Sequence, residues 1–261
     1  MSGTRAGDRG PASTDALRPF PLCDGVLGLF TGRAGGVSPD PFGALNLSYS
    51  VGDDPVAVTR NRGLVLQAIA PGPDRLAWMR QVHGAAVARA AADSAELTGE
   101  EESQADAHFT DSAAVAVGAL AADCAPVLIA DPLAGLVGAA HAGRAGMAAG
   151  VVPALVLAMC QAGADPARMH AVIGPAICGQ CYEVPAELRD QVAAAVPEAA
   201  CYTRKGTPGI DLRAGVQAQL ASLGVGAIGG DDRCTAESAD LFSYRRDGRT
   251  GRFAGLIWLA P

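Results

Sequence analysis

The stretch 121-AADCAPVLIADPLAGLVGAAHAGRAG-146 holds two short apolar runs, 125–130 and 136–140, separated by the turn-forming sequence DPLAG. Short runs that are rich in Val, Leu and Ile and bounded by turn residues predict strands buried on both faces of a sheet. Cys124 and His141 stand at the outer ends of the two runs. Two adjacent strands would therefore bring a thiol and an imidazole together at one edge of the sheet.

Apolar runs and amphipathic patterns continue on both sides of this stretch. The same criteria predict further strands at 25–33, 44–52, around 81–84, 108–123, 170–177, 225–230 and 253–260. Helical periodicity and capping residues predict helices at 54–70, 146–161, 185–196 and 211–224. This order of elements, without a repeat or a linker, predicts an α/β (α+β) fold in which helices flank a mixed β-sheet.

The chain divides into a short arm and one domain. Residues 1–21 contain many turn formers and no apolar signal-peptide core, which predicts a flexible N-terminal arm. We expect residues 22–261 to form a single domain. Within it, the acidic segment 92–106 predicts a solvated loop, and the apolar run 147–164 is too short and too interrupted for a membrane span.

The composition argues against several classes of partner. The 261 residues carry 20 Lys and Arg against 27 Asp and Glu, so a net charge of −7 gives no overall basic surface for nucleic acid or anionic membranes. The seven cysteines are odd in number and irregularly spaced, which is unlike a disulfide framework and predicts a cytoplasmic location. No segment indicates a protein partner.

Three residues together suggest a metal site. His83 stands in the sequence Gln-Val-His-Gly, and a set of His83, Cys124 and His141 offers two imidazoles and one thiolate. Such a set suits tetrahedral Zn²⁺ with one position left open for water or substrate. Copper also binds two histidines and a cysteine, although the blue-copper site adds a weak axial ligand such as Met, and none stands beside these residues.

Seven motifs follow one another in the order of a known family. They are FTGRAGGVSPDPFGALNLSYSVGDDPVAVTRNR (30–62), RQVHGAAV (80–87), ADAHFTD (105–111), AADCAPVLIADP (121–132), GLVGAAHAGRAG (135–146), VIGPAICGQCYEV (172–184) and LFSYRRDGRTGRFAGLIWL (241–259). Together they resemble the laccase-domain family, also called the multicopper polyphenol oxidase, peptidoglycan editing factor or purine nucleoside phosphorylase family. The resemblance covers nearly the whole chain after residue 26.

The resemblance implies a laccase-domain-like catalytic domain with a metal site at His83, Cys124 and His141. It also implies purine nucleoside and phosphate as substrates, because family members are phosphorylases of adenosine, inosine and S-methyl-5'-thioadenosine, and also adenosine deaminases. The laccase name fits the composition poorly. A multicopper oxidase needs about ten histidines for its imidazole-rich copper sites, and this chain has four.

Six further motif residues are candidates for catalysis or substrate binding. Phosphorolysis requires arginines that hold the phosphate dianion, and deamination requires a carboxylate that relays protons. The candidates are Asp123 for proton relay, Arg33, Arg62 and Arg245 for phosphate, and Asn46 and Gln81 for substrate contact. Each also has a structural alternative: backbone hydrogen bonds for Asp123, surface ion pairs for the arginines, and turn support for the two amides.

The chain departs from the family pattern after His141. The family usually reads His-Ala-Gly-Trp-Arg-Gly, whereas this chain has Arg144 one position early and no tryptophan. Either Arg144 takes over the role of the family arginine from a shifted backbone, or the substrate has changed. The pair Cys178-Gly-Gln-Cys181 is interpreted as structural, because no second such pair follows and no His-x-Glu partner is present.

Three other functions compete with a zinc-dependent nucleoside phosphorylase. One is a cysteine hydrolase or amidase that edits peptidoglycan precursors, with Cys124 as nucleophile and His83 or His141 as base. Another is a copper-dependent polyphenol oxidase, which predicts colour and oxygen uptake. The last is a binding module with a degenerate site, an alternative suggested by the altered motif around Arg144.

Overall fold

Two mixed sheets lie face to face at the centre of the molecule. They are seen in a computed structural model that describes residue 17, residues 19–92, residue 99 and residues 102–261. One sheet has five strands in the order β1-β2-β13-β6-β3, and the other has six in the order β12-β9-β7-β8-β5-β4. Both sheets combine parallel and antiparallel pairs. The mixed α/β fold class is therefore confirmed, with the strands divided between two large sheets.

The strands of both sheets are short. Those of the five-stranded sheet are β1 (Phe20–Cys23), β2 (Val26–Phe30), β3 (Arg75–Ala77), β6 (Val115–Ala121) and β13 (Phe253–Leu259). Those of the six-stranded sheet are β4 (Val87–Arg89), β5 (Ala107–Thr110), β7 (Ala125–Asp131), β8 (Leu136–Ala142), β9 (His170–Ile173) and β12 (Ala227–Gly230). A separate hairpin consists of β10 (Ala200–Tyr202) and β11 (Pro208–Ile210).

Helices cover the outer faces of the sheets. They are α1 (Pro55–Ala68), α2 (Arg144–Ala148), α3 (Val151–Gln161), α4 (Ala186–Ala195), α5 (Leu212–Ser222) and α6 (Tyr244–Asp247). The side chain of Asp54 caps α1, with Pro55 at its first position, as the sequence predicts. Gly150, with φ of 83°, separates α2 from α3 where a single helix was expected. Among the described helices, none is long and apolar enough to cross a membrane.

Three apolar layers stabilise the arrangement. The side chains of β7 and β8 alternate, so Val127 and Ile129 pack against α3 and α5, whereas Leu128 and Val137 pack against the five-stranded sheet. A third layer joins α1 to the outer face of β6 and β13. β6, β7 and β8 have seven residues each, and all of these residues are buried. This two-sided burial explains their nearly continuous apolar sequence.

Several predicted elements need correction. The segment 44–52 is irregular and ends in a short 3-10 helix, Tyr49–Val51, rather than forming a strand. Residues 81–84 form a loop between β3 and β4 rather than a strand. Strand β13 lies between β2 and β6 rather than closing a sheet. The last segment is therefore a central strand of the molecule.

The predicted N-terminal arm and the predicted acidic loop lie partly outside the described residues. The structure does not describe residues 1–16 and 18 of the predicted arm. In the acidic segment it does not describe residues 93–98, 100 and 101. β1 begins at Phe20, so residues 20 and 21, assigned to the arm, belong to the sheet. In the acidic segment, Glu102 is buried and bonded to Arg62 rather than solvated.

Candidate active site

The pairing of β7 with β8 brings Cys124 and His141 together. In this antiparallel pair Ala125 lies opposite Ala142 and Pro126 opposite His141. Cys124 directly precedes β7, and His141 is the penultimate residue of β8. Leu128 and Val137 face the other sheet. Cys124 is four positions before Leu128, and His141 is four positions after Val137, so strand alternation places both side chains on that same face. The convergence expected from the sequence is therefore present.

Asp106 fixes the loop that carries His83. Its carboxylate accepts the backbone N–H groups of Val82, His83 and Gly84 at 3.1, 2.9 and 2.7 Å. These bonds hold His83 in the left-handed region, at φ of 61°. The same carboxylate lies 2.9 Å from Nδ1 of His141 and is fully buried. One acidic side chain therefore orients two of the three candidate ligands.

The three side chains fit a zinc-type donor set. One ligand atom from each of His83, Cys124 and His141 lies within 4.8 Å of the others. The distance from Cys124 Sγ to His83 Nε2 is 3.8 Å. Zinc bonds of about 2.3 Å to sulfur and 2.0–2.1 Å to nitrogen imply a tetrahedral edge of about 3.6 Å. The carboxylate on Nδ1 of His141 leaves Nε2 for a metal, an arrangement common among metal-bound histidines.

Glycines of the His-Ala-Gly-Arg-Ala-Gly segment leave room for this set. A Cβ at Gly143 would lie 2.8 Å from Cδ2 of His83 and 2.9 Å from Sγ of Cys124. A Cβ at Gly146 would lie 3.0 Å from the carbonyl oxygen of Gly84. The contacts at Gly143 would require His83 and Cys124 to move, and the contact at Gly146 is tighter than most Cβ contacts. The motif therefore brings bare backbone against the ligands and against the loop that carries His83.

The charges of Cys124 and His141 are coupled. Burial opposes ionisation of Cys124, but His141 and then His83 outweigh it and lower the thiol pKa to about 6. Burial also opposes protonation of His141, but the Cys124 thiolate and Asp106 raise the imidazole pKa to about 9. Without a metal, the site at neutral pH therefore holds a thiolate beside an imidazolium. A metal ion would replace the imidazolium proton as the compensating charge.

The set opens into a cavity of about 830 Å³. Its wall includes Leu120, Ile177 and Leu212, three tyrosines at 49, 182 and 244, and four arginines at 62, 80, 245 and 252. Apolar surface with a few convergent polar groups is typical of small-molecule sites, whose volumes are about 300–1,000 Å³. The arrangement can therefore enclose an organic ligand together with an anionic group.

Asp123 lies in the turn before β7, at φ of 98°. Its carboxylate accepts hydrogen bonds from Thr235 Oγ1 at 2.6 Å, Ser243 Oγ at 2.7 Å and the backbone N–H of Arg245 at 2.6 Å. The residue lines the cavity, but both carboxylate oxygens already have donors. These contacts favour the structural alternative, in which Asp123 ties the segment around Cys124 to α6.

The predicted substrate-binding residues divide into two groups. Gln81 and Arg245 line the cavity, and Gln81 also exchanges two hydrogen bonds with the backbone of Leu120. Arg33 and Asn46 are not among the lining residues. The guanidinium of Arg33 contacts Gly43 O, Asp247 and the ring of Phe242, and the buried amide of Asn46 bonds to Ser48, Asp53 and Arg252. Their polar atoms therefore support the frame around the cavity.

Arg62 reaches the cavity wall but is committed to internal contacts. Its guanidinium is 2.6 Å from Glu102 and donates to Leu47 O, and it lies between the rings of Tyr49 and Trp78. Arg62 is 8% exposed. These contacts favour the structural alternative for Arg62, because removing it would leave the Glu102 carboxylate unpaired.

Four residues in or beside the site are absent from the set of predicted site residues. Asp106 stands in the quoted motif ADAHFTD, and an acid directly before a buried strand was the available signal. Arg252 and Tyr182 line the cavity within other quoted motifs. Arg144, noted only as a departure from the family pattern, lies close enough to Tyr182 for its charge to act against the rise in the tyrosine pKa. Burial and the Cys124 thiolate raise the pKa of Tyr182 despite Arg144 and Arg245, so its hydroxyl stays protonated.

Residues 28–260 match the family model described as multi-copper polyphenol oxidoreductase laccase. The chain belongs to this family. A Streptomyces coelicolor relative named purine nucleoside phosphorylase is 53% identical over 230 residues, which cover 88% of this chain and 94% of the relative. A Corynebacterium glutamicum relative with the same enzyme name is 45% identical, with 90% of this chain and 94% of the relative covered.

Solved structures of similar proteins share the laccase-family fold. A Neisseria meningitidis protein described as DUF152 matches with a TM-score of 0.84 and 38% identity, over 95% of this chain and 100% of that one. YlmD from Geobacillus stearothermophilus matches with a TM-score of 0.81 and 32% identity, over 93% and 94% of the two chains. The two-sheet architecture is therefore that of the family.

The thiol of Cys124 should be unusually reactive in the metal-free protein. After chelation of metal, we expect its alkylation by iodoacetamide to rise through a midpoint near pH 6, because the pKa is lowered to about 6. Below this midpoint the thiol is protonated and slow; above it the thiolate reacts. In His141→Gln the midpoint should move toward the ordinary value of 9.0. Peptide mass spectrometry identifies the modified cysteine, and a wild-type midpoint above pH 8 would contradict the coupling.

Replacing Asp106 should weaken the metal site without removing a ligand. In Asp106→Asn, loss of the carboxylate on His141 and on the 82–84 backbone should lower zinc affinity by about 10- to 100-fold. Competition with a chromophoric chelator measures the affinity. Asp111→Asn is the matched control, because Asp111 is an exposed carboxylate paired with Arg89 outside the site. Equal zinc affinities for the two variants would show that Asp106 does not support the ligands.

Proposed function

We propose that this protein is a zinc-dependent purine nucleoside phosphorylase that cleaves adenosine, inosine and S-methyl-5'-thioadenosine with phosphate. The observation that carries the proposal is the convergence of His83, Cys124 and His141 at a cavity that also contains arginines. The enzyme name of relatives that are 45% and 53% identical supports the reaction class. A cytoplasmic location is consistent with seven cysteines that are all free thiols.

His83, Cys124 and His141 would hold the zinc ion. Zinc in a site with three protein ligands supplies a Lewis acid that polarises a bound oxygen or lowers the pKa of bound water. The protein keeps Cys124 ionised through His141 and His83, and it keeps His141 oriented through Asp106. Rigid strand ends and the clamped 82–84 loop preorganise these ligands.

Phosphate would bind near Arg245 and Arg252. Each guanidinium donates to backbone carbonyl oxygens, Arg245 to Glu183 and Arg252 to Thr250 and Gly251. Within the described part of the chain, no carboxylate lies at ion-pair distance from either group, in contrast to Arg62. Burial lowers the pKa of Arg252, and the nearby Cys124 and Asp123 oppose this effect, so the guanidinium lies close to the candidate metal ligands. Charge-assisted hydrogen bonds from such groups hold a dianion while its oxygen approaches C1′ of the ribose.

The apolar part of the cavity suits the purine base. Leu120, Ile177 and Leu212 provide a wall that can pack on a flat ring, and the exposed ring of Tyr244 offers an aromatic face. Tyr182 is less available for stacking, since the guanidinium of Arg245 already lies 5.0 Å from its ring centroid. Its protonated hydroxyl can instead donate a hydrogen bond to the nucleoside.

Adenosine deamination is proposed only as a side activity. It needs a carboxyl group that relays protons at C6 of the purine. Asp123 is the candidate from the sequence, but its carboxylate oxygens already accept hydrogen bonds from Thr235, Ser243 and Arg245, which fix its orientation. This environment suits a positioning role better than proton transfer, so we expect phosphorolysis to dominate.

A cysteine hydrolase that edits peptidoglycan precursors is the second candidate. It is favoured by the lowered pKa of Cys124 beside His83 and His141, a pattern typical of nucleophilic cysteines. Zinc bound through Cys124 would occupy that thiolate, so metal content separates the two functions. Copper-dependent polyphenol oxidation has less support. Of the four histidines, His108 is buried and bonded to Gly118 O, and His170 lies on β9, so only two histidines reach the site.

Zinc content and phosphorolysis should fail together when Cys124 is removed. We expect wild-type protein to release hypoxanthine from inosine in a phosphate-dependent manner, and Cys124→Ala to lose at least 100-fold of that rate together with the zinc of this site. Elemental analysis and a coupled hypoxanthine assay measure both, and adenosine with inosine detection reports deamination. Retained phosphorolysis in the variant, or a wild-type hydrolase without zinc, would overturn the proposal.

Arg245 should contribute to phosphate binding. Loss of a hydrogen bond to a charged group costs about 1.5–3 kcal/mol, so Arg245→Gln should raise KM for phosphate by about 10- to 150-fold with a smaller effect on KM for inosine. Arg33→Gln is the matched control, because Arg33 stands in a family motif but outside the cavity wall. Equal phosphate dependence in the two variants would remove Arg245 from the phosphate site.

A further inference from the structure

A second group of metal-binding side chains lies apart from the first. One ligand atom from each of Cys178, Cys181, Cys234 and Glu237 lies within 4.8 Å of all the others. Cys178 and Cys181 come from the turn after β9, and the other two come from the segment after β12. Within the described residues, this group and the His83, Cys124 and His141 set are the two clusters of three or more such ligands at this spacing.

Backbone hydrogen bonds hold the two segments in a ligand-ready arrangement. The carbonyl of Cys178 accepts the N–H groups of Cys181 and Tyr182 at 2.9 and 3.0 Å, which makes a tight turn between the two cysteines. The carbonyl of Cys234 accepts the N–H groups of Glu237 and Ser238 at 3.1 and 2.9 Å. The N–H of Cys178 also donates to Sγ of Cys234 at 3.4 Å. These turns direct three sulfurs and one carboxylate toward a common point.

The donor set suits a structural zinc ion, because Zn²⁺ binds cysteine sulfur and glutamate oxygen and is four-coordinate in structural sites. A Cys-x-x-Cys turn combined with a distant cysteine and a fourth ligand gives the closed tetrahedral coordination found in such sites. Thiolates favour zinc over magnesium, calcium or manganese. A disulfide between Cys178 and Cys181 would leave the buried third thiol and Glu237 unexplained. Arg204 donates to Sγ of Cys181 at 3.4 Å and pairs with Glu237, so it offsets negative charge that remains on the ligands.

The cluster connects to the cavity through its neighbours in sequence. Ile177 and Tyr182 flank the two-cysteine turn, and both line the cavity. Thr235 follows Cys234, and its hydroxyl donates to Asp123 beside Cys124. An ion that fixes the cluster would therefore also fix one wall of the cavity and the residue before the Cys124 ligand.

We propose that Cys178, Cys181, Cys234 and Glu237 bind a structural zinc ion that joins the segment after β9 to the segment after β12. This ion is separate from the one at His83, Cys124 and His141. It takes no part in the reaction and holds the wall that carries Ile177 and Tyr182. The proposal does not depend on which substrate the cavity accepts.

The test uses Cys124→Ala as a background in which the first site is disabled. We expect this variant, purified under reducing conditions, to retain one equivalent of zinc per chain and to lose it when Cys234→Ser is added. Cys160→Ser is the matched control, since Cys160 is a partly buried cysteine on α3 outside both clusters. Adding Cys160→Ser to the same background should leave the zinc in place.

Cobalt provides a measurement that survives a folding defect in the double variant. When Co²⁺ replaces zinc in Cys124→Ala, the remaining thiolates should give intense sulfur-to-cobalt charge-transfer absorption and tetrahedral ligand-field bands. Glu237→Gln changes one exposed ligand, so it should fold, keep the charge-transfer absorption and release the metal to a chelator at least tenfold faster. No zinc and no such absorption in Cys124→Ala, or a Cys178–Cys181 disulfide under the same conditions, would overturn the proposal.

Discussion

The carboxylate of Asp106 accepts the N–H groups of three successive loop residues and contacts the imidazole of His141. Its own carbonyl oxygen accepts the N–H of His141 at 2.7 Å. The residue thus joins the loop at 82–84 to the end of β8 through both side chain and backbone. Without it, His83 would lack the bonds that hold its left-handed conformation, and the imidazole of His141 would be free to turn.

The electrostatics of the site follow from this buried acid. Asp106 and the Cys124 thiolate place two negative groups around His141, and burial makes such charges costly unless a cation compensates them. In the free protein the imidazolium of His141 supplies that cation. A divalent ion supplies a larger charge and competes with the proton for the same imidazole, so metal binding and protonation are linked. The same few residues therefore account for an ionised thiol in the metal-free protein and would form a metal site if an ion bound there.

Much of the fold could be predicted because local patterns agree with burial. The apolar runs of β6, β7 and β8 and the capped helix α1 all carry their own sequence signals. The division into two sheets could not be predicted, since it depends on which strands pair over long separations. The apolar residues around 81–84 predict a strand, but hydrogen bonds to the distant Asp106 carboxylate hold this segment as a loop. The 44–52 segment has strand-like composition, but Asn46 bonds to nearby backbone and so favours a turn.

The same distinction applies to the candidate site. The three candidate metal ligands stand in recognisable motifs, whereas the partners that orient them come from elsewhere in the chain. Arg33 and Asn46 look like substrate contacts in sequence, but their polar groups meet internal partners that only the folded chain brings near. Cys234 likewise lies 56 residues from Cys178, so the local Cys178-Gly-Gln-Cys181 pair does not indicate the other two members of its cluster.

Gly143 limits which side chains can surround the candidate metal ligands. On its side the ligands touch backbone, where a methyl group would collide with both His83 and Cys124. No side chain at position 143 therefore contacts the candidate metal ligands. The cavity wall also includes Tyr244 and Arg245, which are exposed side chains of the short helix α6. A change of side chain on α6 would therefore reshape the cavity, whereas a side chain at position 143 would displace the candidate ligands themselves.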